Sequence, residues 1–592
     1  MSHSVSAALL LLFAAGCAQQ PLQGQTHLAA APQAPSEAKQ PHAAAAPIKR
    51  TPTLPSVELT EQMMFKLMLA EVALQRGQPQ IAVPALLDLA RETRDPRLAQ
   101  RATEAAWNAR MVSSALEAAG LWLQTDPEST QARQILAVLL LNQSQLDEAR
   151  PHLQQWLASD PAHIGASFLQ LSKLLSRNKD RQGVLQLMQA LAQPYADVPE
   201  ARLTVAQAAW NAGALQISLD ESRAALKLRP DWELAALFHA QALQRRSNAE
   251  AAKFLGEYLA MHPKASDARL NYARLLVAEK RYVDARREFE TLLAAHPESP
   301  DMAMAVAALA MQSTDYDRAE TLLKDLLDNP SYKDKNTARL YLGQLADERK
   351  RYDEALKWYA SVERGDQFIQ AQSRYASVLA REGRLDEARA HLQGVPDANN
   401  QQRVQLTQAE AQLLRDAGRF REAFDVLGQA LDRLPNYPDL LYDHAMAAEK
   451  VERYDVLESN LRKLIEIRPD NAHAYNALGY TLADRNERLP EARKLIETAL
   501  NLTPEDPFIM DSMGWVLYRQ GQLKEALDWL QRAHMMRPDA EVAAHLGEVL
   551  WADGQQERAR QVWTHALREN PKNEQLQSTV KRYAPLMVPA AR

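Results

Sequence analysis

Cysteine occurs once in the 592 residues, so no intramolecular disulfide and no cysteine-built zinc site can form. Glycine is scarce, at 19 residues, and aromatic residues make up 6%. Glycine scarcity disfavours the α/β enzymes, whose turns and phosphate loops consume it. The net charge is −6, so the basic footprint of a nucleic-acid binder is missing. No G-x-x-x-x-G-K-S/T, G-x-G-x-x-G or G-x-S-x-G motif occurs. The fourteen histidines include no pair three to five residues apart, which excludes the H-E-x-x-H zinc helix. Isolated histidines such as His444 and His545 read as surface or satisfied core residues. The longest opening apolar run, Ala7 to Ala15, has nine residues, far short of the roughly 20 that span a bilayer as a helix. What the chain has in abundance is alanine, 100 residues, with 24% charged residues. That balance predicts a mostly helical protein, and the missing motifs lead to the expectation of neither cofactor nor metal.

The run Ala7–Ala15 suits the apolar part of a secretory signal. Cys17 follows the small residues Ala14, Ala15 and Gly16. This arrangement resembles the cleavage box of bacterial lipoproteins, in which the cysteine takes lipid and becomes the new N-terminus. It departs from the pattern in having no Lys or Arg before the run and Ala14 where leucine is usual. Residues 1–16 are expected to be a signal peptide and Cys17 the lipidated residue. Several acyl chains, at about 0.8 kcal/mol per buried CH₂, make a durable anchor. Ala18 is not aspartate, which in such lipoproteins points to the outer membrane. The stretch 17–56 is rich in Ala, Pro and Gln and lacks an apolar period, so a disordered tether is expected. At about 3.1 Å per residue when extended, it would reach on the order of 100 Å.

Beyond the tether the chain repeats itself. A landmark residue, small except at Leu457 and usually in the pattern x-x-D/E-A-R/L, recurs from Ala82 to Ala559 fifteen times, at intervals of 33 to 36 residues. Twelve of these residues are alanine. Twelve positions later stands proline in ten of the fifteen units, from Pro127 to Pro571, while Pro96, Pro194 and Pro330 miss by one or two. Twelve positions earlier there is usually a second small residue, as at Ala273, Gly479 (with one inserted residue), Gly514 and Gly547. Each unit therefore holds two apolar-periodic segments of about 13 residues split by a polar loop. Small residues at the crossing let two helix backbones approach, and proline ends the second helix or opens the next. One such hairpin cannot bury its own apolar face, whereas stacked neighbours can. The repeats are assigned to 57–572, with a capping helix and tail over 573–592, the helix stopping before Pro585.

These landmarks resemble the tetratricopeptide repeat, over residues 63–572 or about 86% of the chain. The resemblance implies an all-α, right-handed superhelical solenoid of about 15 repeats. It also implies that the first helix of each unit lines the concave face through its second, fifth, ninth, twelfth and thirteenth positions. The candidate protein-binding residues in the last units are then Tyr442, Asn476, Tyr480, Asp511, Trp515, Tyr518, Arg519 and Trp551. The rings of Trp515 and Tyr480 are expected to stand exposed. The Lys/Asn clamp that other tetratricopeptide domains use for a C-terminal carboxylate is not evident.

In layout the chain is similar to the outer-membrane tetratricopeptide lipoproteins of pseudomonads that bind and activate a periplasmic carboxy-terminal processing protease. The similarity lies in the length, the leading S-V-S-A-A-L-L-L-L-F-A-A-G-C, the Ala/Pro tether and the repeat number. It implies a membrane-tethered periplasmic adaptor, itself no enzyme. Its partners would be that protease and its peptidoglycan-hydrolase substrates. Two other readings fit the same parts: a structural scaffold for an envelope export or pilus secretin assembly, and a carrier whose aromatic platforms stack on glycan.

Overall fold

One repeat shows how the sequence writes its hairpin. Asp506 caps the helix Pro507–Arg519, its carboxylate accepting from the backbone N–H of Phe508 (2.8 Å) and Ile509 (3.2 Å). Pro507 opens the helix, where its missing N–H costs nothing. Gly521, at φ +81°, turns the chain through a left-handed residue into the helix Leu523–Met536. At Gly514 an added Cβ would sit 2.5 Å from Leu530 Cγ and 3.1 Å from the Ala526 carbonyl oxygen. Only glycine permits that approach of the two helices.

The computed structural model describes residues 54–396 and 398–587. The expected signal peptide, Cys17 and the tether up to residue 53 lie outside the described residues. Among the described residues are 31 α-helices and no strand, the all-α repeat solenoid that the periodicity demands. Every one of the twelve landmark alanines is fully buried, from Ala82 to Ala559. Within each unit, most first helices pack on the second helix of their own repeat, and most second helices on the first helix of the next. Burial is thereby shared between neighbours, and in the C-terminal repeats one continuous apolar core runs from Val404 to Leu576.

Two repeats depart from the rule. Their second helices, Tyr352–Ala360 and Leu385–Gln393, have nine residues each, where the others have 12 to 15. They belong to the two units, those of Ala355 and Ala388, that have no proline near the twelfth following position. The next first helix, Asn400–Asp416, starts early and runs for 17 residues, opened by a capping box between Asn399 and Gln402. Its Arg403 donates to the carbonyl oxygens of Gln393 (3.2 Å) and Val395 (2.7 Å), satisfying the end of the shortened helix.

The described chain divides into two compact units, one ending at Leu326 and the other beginning at Leu327. At the C-terminus the sequence expectation needs correction: the last helix is Glu574–Met587 and continues through Pro585. So close to a helix end the proline forfeits one hydrogen bond to the preceding turn, which leaves the backbone free to finish that turn.

Candidate protein-binding face

All eight candidate residues lie in the second unit, on four successive first helices: Pro438–Lys450, Ala472–Asp484, Pro507–Arg519 and Ala540–Ala552. Side chains of one helix bond to those of the next, at spacings close to one repeat. Trp515 Nε1 donates to Asp484 Oδ1 at 3.2 Å, 31 residues away. Arg519 Nε donates to the Ala483 carbonyl oxygen at 3.1 Å, and its other end reaches the Asp484 carbonyl oxygen. His545 Nδ1 donates to Asp511 Oδ2 at 2.8 Å, 34 residues away. Arg582 of the last helix pairs with Glu548 at 3.3 Å. The face is thus a ladder of polar bonds laid over the apolar core.

The structure brings the candidates together but not as free rings. Trp515 is 5% exposed and Asp511 7%, so the expectation of an exposed Trp515 is corrected. The reason is a neighbour: the imidazole of His545 stacks on the indole with ring centroids 4.3 Å apart. Tyr480 is half-buried, with its hydroxyl 3.4 Å from His545 Nε2, so it too is less open than expected. Gln575 of the last helix brings its amide to 3.1 Å from the same nitrogen. His545 therefore ties together three successive first helices and the last helix. From sequence it reads only as a surface or satisfied core histidine, because nothing in local spacing announces contacts one and two repeats away.

The other candidates are half-buried. Tyr518 lies 5.2 Å from Trp515 between ring centroids. Trp551 stacks near Trp563 at 6.0 Å and meets Tyr583 at 5.5 Å. Tyr442 lines a cleft of about 430 Å³ with Gln408, Asp439, Asp443 and His473, in which Gln408 Nε2 donates to Asp443 Oδ2 at 2.7 Å. Asn476 Oδ1 is buried and takes no hydrogen bond among the described residues, and the same holds for Asp511 Oδ1.

The electrostatics are those of crowded acids. Burial lowers the affinity of His545 for its proton, but the carboxylates of Asp511, Asp484 and Glu548 outweigh it and raise the group above its ordinary value. Burial pushes the Tyr480 hydroxyl up strongly, and Asp484, Asp511 and Glu541 add to the effect. Burial likewise raises Glu449, with Asp484 and Glu541 contributing and Lys450 opposing. No group of three His, Cys, Asp or Glu residues that could hold a metal ion occurs among the described residues. None of them forms a helix long and apolar enough to cross a membrane.

Tetratricopeptide-repeat family profiles match residues 242–309, residues 304–368 and 442–507, and residues 509–536. Among solved structures, a tetratricopeptide protein of Thermus thermophilus is similar at 22% identity over 30% of this chain and 96% of its own, with a TM-score of 0.28. One from Parabacteroides merdae is similar at 15% identity over 48% and 97%, with a TM-score of 0.32. In sequence the chain is 34% identical over 496 residues to the TPR repeat-containing protein PA4667 of Pseudomonas aeruginosa, covering 83% of this chain and 82% of that one. At that identity and over that length, the chain belongs to the family of tetratricopeptide-repeat proteins to which PA4667 belongs.

Proposed function

We propose that this protein is a periplasmic adaptor, anchored to the outer membrane by lipid on Cys17, that holds other proteins on the face built by its first helices. Tetratricopeptide repeats are in general interaction scaffolds, and no catalytic family is indicated. The chemistry would then belong to the partners. By the resemblance in layout, those partners are a carboxy-terminal processing protease and the peptidoglycan hydrolases that it cleaves. The adaptor promotes their encounter by effective concentration, since two proteins on one scaffold meet as if intramolecularly.

One observation carries the reading: the described chain is devoted to repeats whose final first helices join charged and aromatic groups into a continuous polar face. Tyr442, Asn476, Tyr480, Tyr518, Arg519 and Trp551 are half-buried there and offer contact area, while Asp511 and Trp515 form its floor. Half-buried tyrosine, tryptophan and arginine are the residues on which binding energy concentrates.

Co-purification of the intact protein from cell envelopes tests the proposal. A periplasmic protease captured together with wall hydrolases is the expected result. Capture of an outer-membrane channel alone would replace the adaptor by a structural scaffold. In the same preparations, Cys17→Ser should move the folded protein from the membrane to the soluble fraction, and unchanged membrane retention would refute the anchor.

A further inference from the structure

The binding face holds acids that the protein's own cations leave mostly without an ion pair. Glu449, Asp484, Asp511 and Glu541 come from four successive first helices, and each lies within the electrostatic reach of another or of the Tyr480 hydroxyl between them. Among the described residues, His545 is the one cationic partner bonded to any of the four, and it serves Asp511. The nearby cations make no ion pair with the four: Arg519 bonds two backbone carbonyls, Arg582 pairs with Glu548, and Lys450 acts on Glu449 only through space. Asp484 accepts from the neutral Trp515 indole, which brings no charge.

A second observation is independent of the charge. Asp511 is more than nine-tenths buried, yet its Oδ1 finds no donor. Asn476 Oδ1, at the equivalent position one repeat earlier, is buried and equally without a donor. Buried acceptors are ordinarily paired, so two orphans beside a wall of acids that mostly lack an ion pair mark a place where donors and positive charge arrive together.

The geometry narrows the chemistry. The carboxylates are spread over four helices and do not gather into a metal-holding group. A planar guanidinium carries five N–H donors in a fixed fork and spans such a spread, and it also settles on aromatic faces such as that of Tyr480. Glu541 and Asp484 are exposed and Glu449 is half-buried, so the wall is open to an incoming chain.

Resting on the binding-face reading above, we propose that this wall receives an arginine side chain of an extended partner segment, held by Glu449, Asp484 and Glu541 above Asp511. Partners would be selected by a basic residue in a flexible stretch, and the adaptor would contribute the acids.

The test uses the full chain and two fluorescein-labelled peptides of a Gly/Ala/Ser background, one carrying two arginines and the other two citrullines. Citrulline keeps the shape of arginine and removes its charge. The arginine peptide should bind at least about tenfold more tightly by anisotropy, and its affinity should fall about tenfold between about 50 and 500 mM salt. The double substitution Glu449→Gln with Glu541→Gln should remove most of that preference while leaving the circular dichroism and the unfolding midpoint unchanged. Equal binding of the two peptides would overturn the proposal, as would equal binding of the arginine peptide by parent and double variant. Envelope partners captured as well by the double variant as by the parent would also overturn the arginine site and leave the adaptor standing. If the parent captured no protein partner but kept its arginine preference, the adaptor reading would fall and the site would stand.

Discussion

His239 in the first unit and His545 in the second are both buried in first helices, and their surroundings drive them to opposite charge states. His239 is 2% exposed, with Nδ1 2.7 Å from the Ser222 hydroxyl and its ring edge-on to Phe254 at 4.7 Å. No carboxylate touches it, so burial, helped by Arg223, pulls it down to about 4. His545 is 5% exposed, bonded to Asp511 and stacked on Trp515, and its carboxylate neighbours raise it. The repeat supplies the same helical frame in both places. Whether a buried imidazole becomes a packing residue or half of an ion pair depends on what the next repeat places against it. The first arrangement is self-contained. The second leaves polar atoms unsatisfied and belongs to the face that is proposed to bind.

The comparison breaks most severely at Asp511. Asp511→Ala leaves His545 without its counter-charge and should cost about 3–5 kcal/mol below pH 6, read from urea unfolding by tryptophan fluorescence. A loss under about 1 kcal/mol would show that the pair is not a strong contact.

Acid should separate the two histidines next. The folded value of His239, about 4, lies below its unfolded 6.5, so its contribution is complete above pH 6.5 and disappears as pH falls toward 4. A loss of about 3 kcal/mol is expected over that range, absent in His239→Gln. His545 has the opposite sign. Its folded value is raised, so its contribution is complete below the unfolded value of 6.5 and is lost as pH rises through the folded one. Stability of the parent should therefore decline on the alkaline side, and His545→Gln should flatten that limb and leave the acid limb unchanged.

The smallest effect concerns the turns. The inter-helix turn takes a left-handed residue, Gly521 in one repeat but Lys350 (φ +59°) in another. Lys350→Gly should relieve that strain and stabilise the protein by less than about 1 kcal/mol, since glycine's freer unfolded chain offsets part of the gain. Gly521→Lys should destabilise it by a similar amount.

Much of the architecture was legible from spacing. The landmark alanines mark the sites of closest helix approach, and all are buried because a larger side chain would push the helices apart. Proline at the twelfth following position marks a full second helix, and its absence after Ala355 and Ala388 coincides with the two nine-residue helices. The end of the last helix is not legible from Pro585, because a proline in a final turn forfeits too little to stop it. The site was legible only as a set of helix positions. Trp515 sits at an inner-face position, yet its exposure depends on His545, thirty residues further on. His545 itself appeared unremarkable among fourteen scattered histidines.

By itself the sequence determined the repeat length, the two helices of each unit, the contact points between them and the absence of the catalytic motifs sought, because these depend on the order of residues within some 34 positions. Tertiary structure alone decided which side chains of the inner face are covered, which acids face one another and which acceptors remain without donors. Those facts arise between residues 30 to 100 positions apart, where stacking sets distance and solvent access and no local pattern records them.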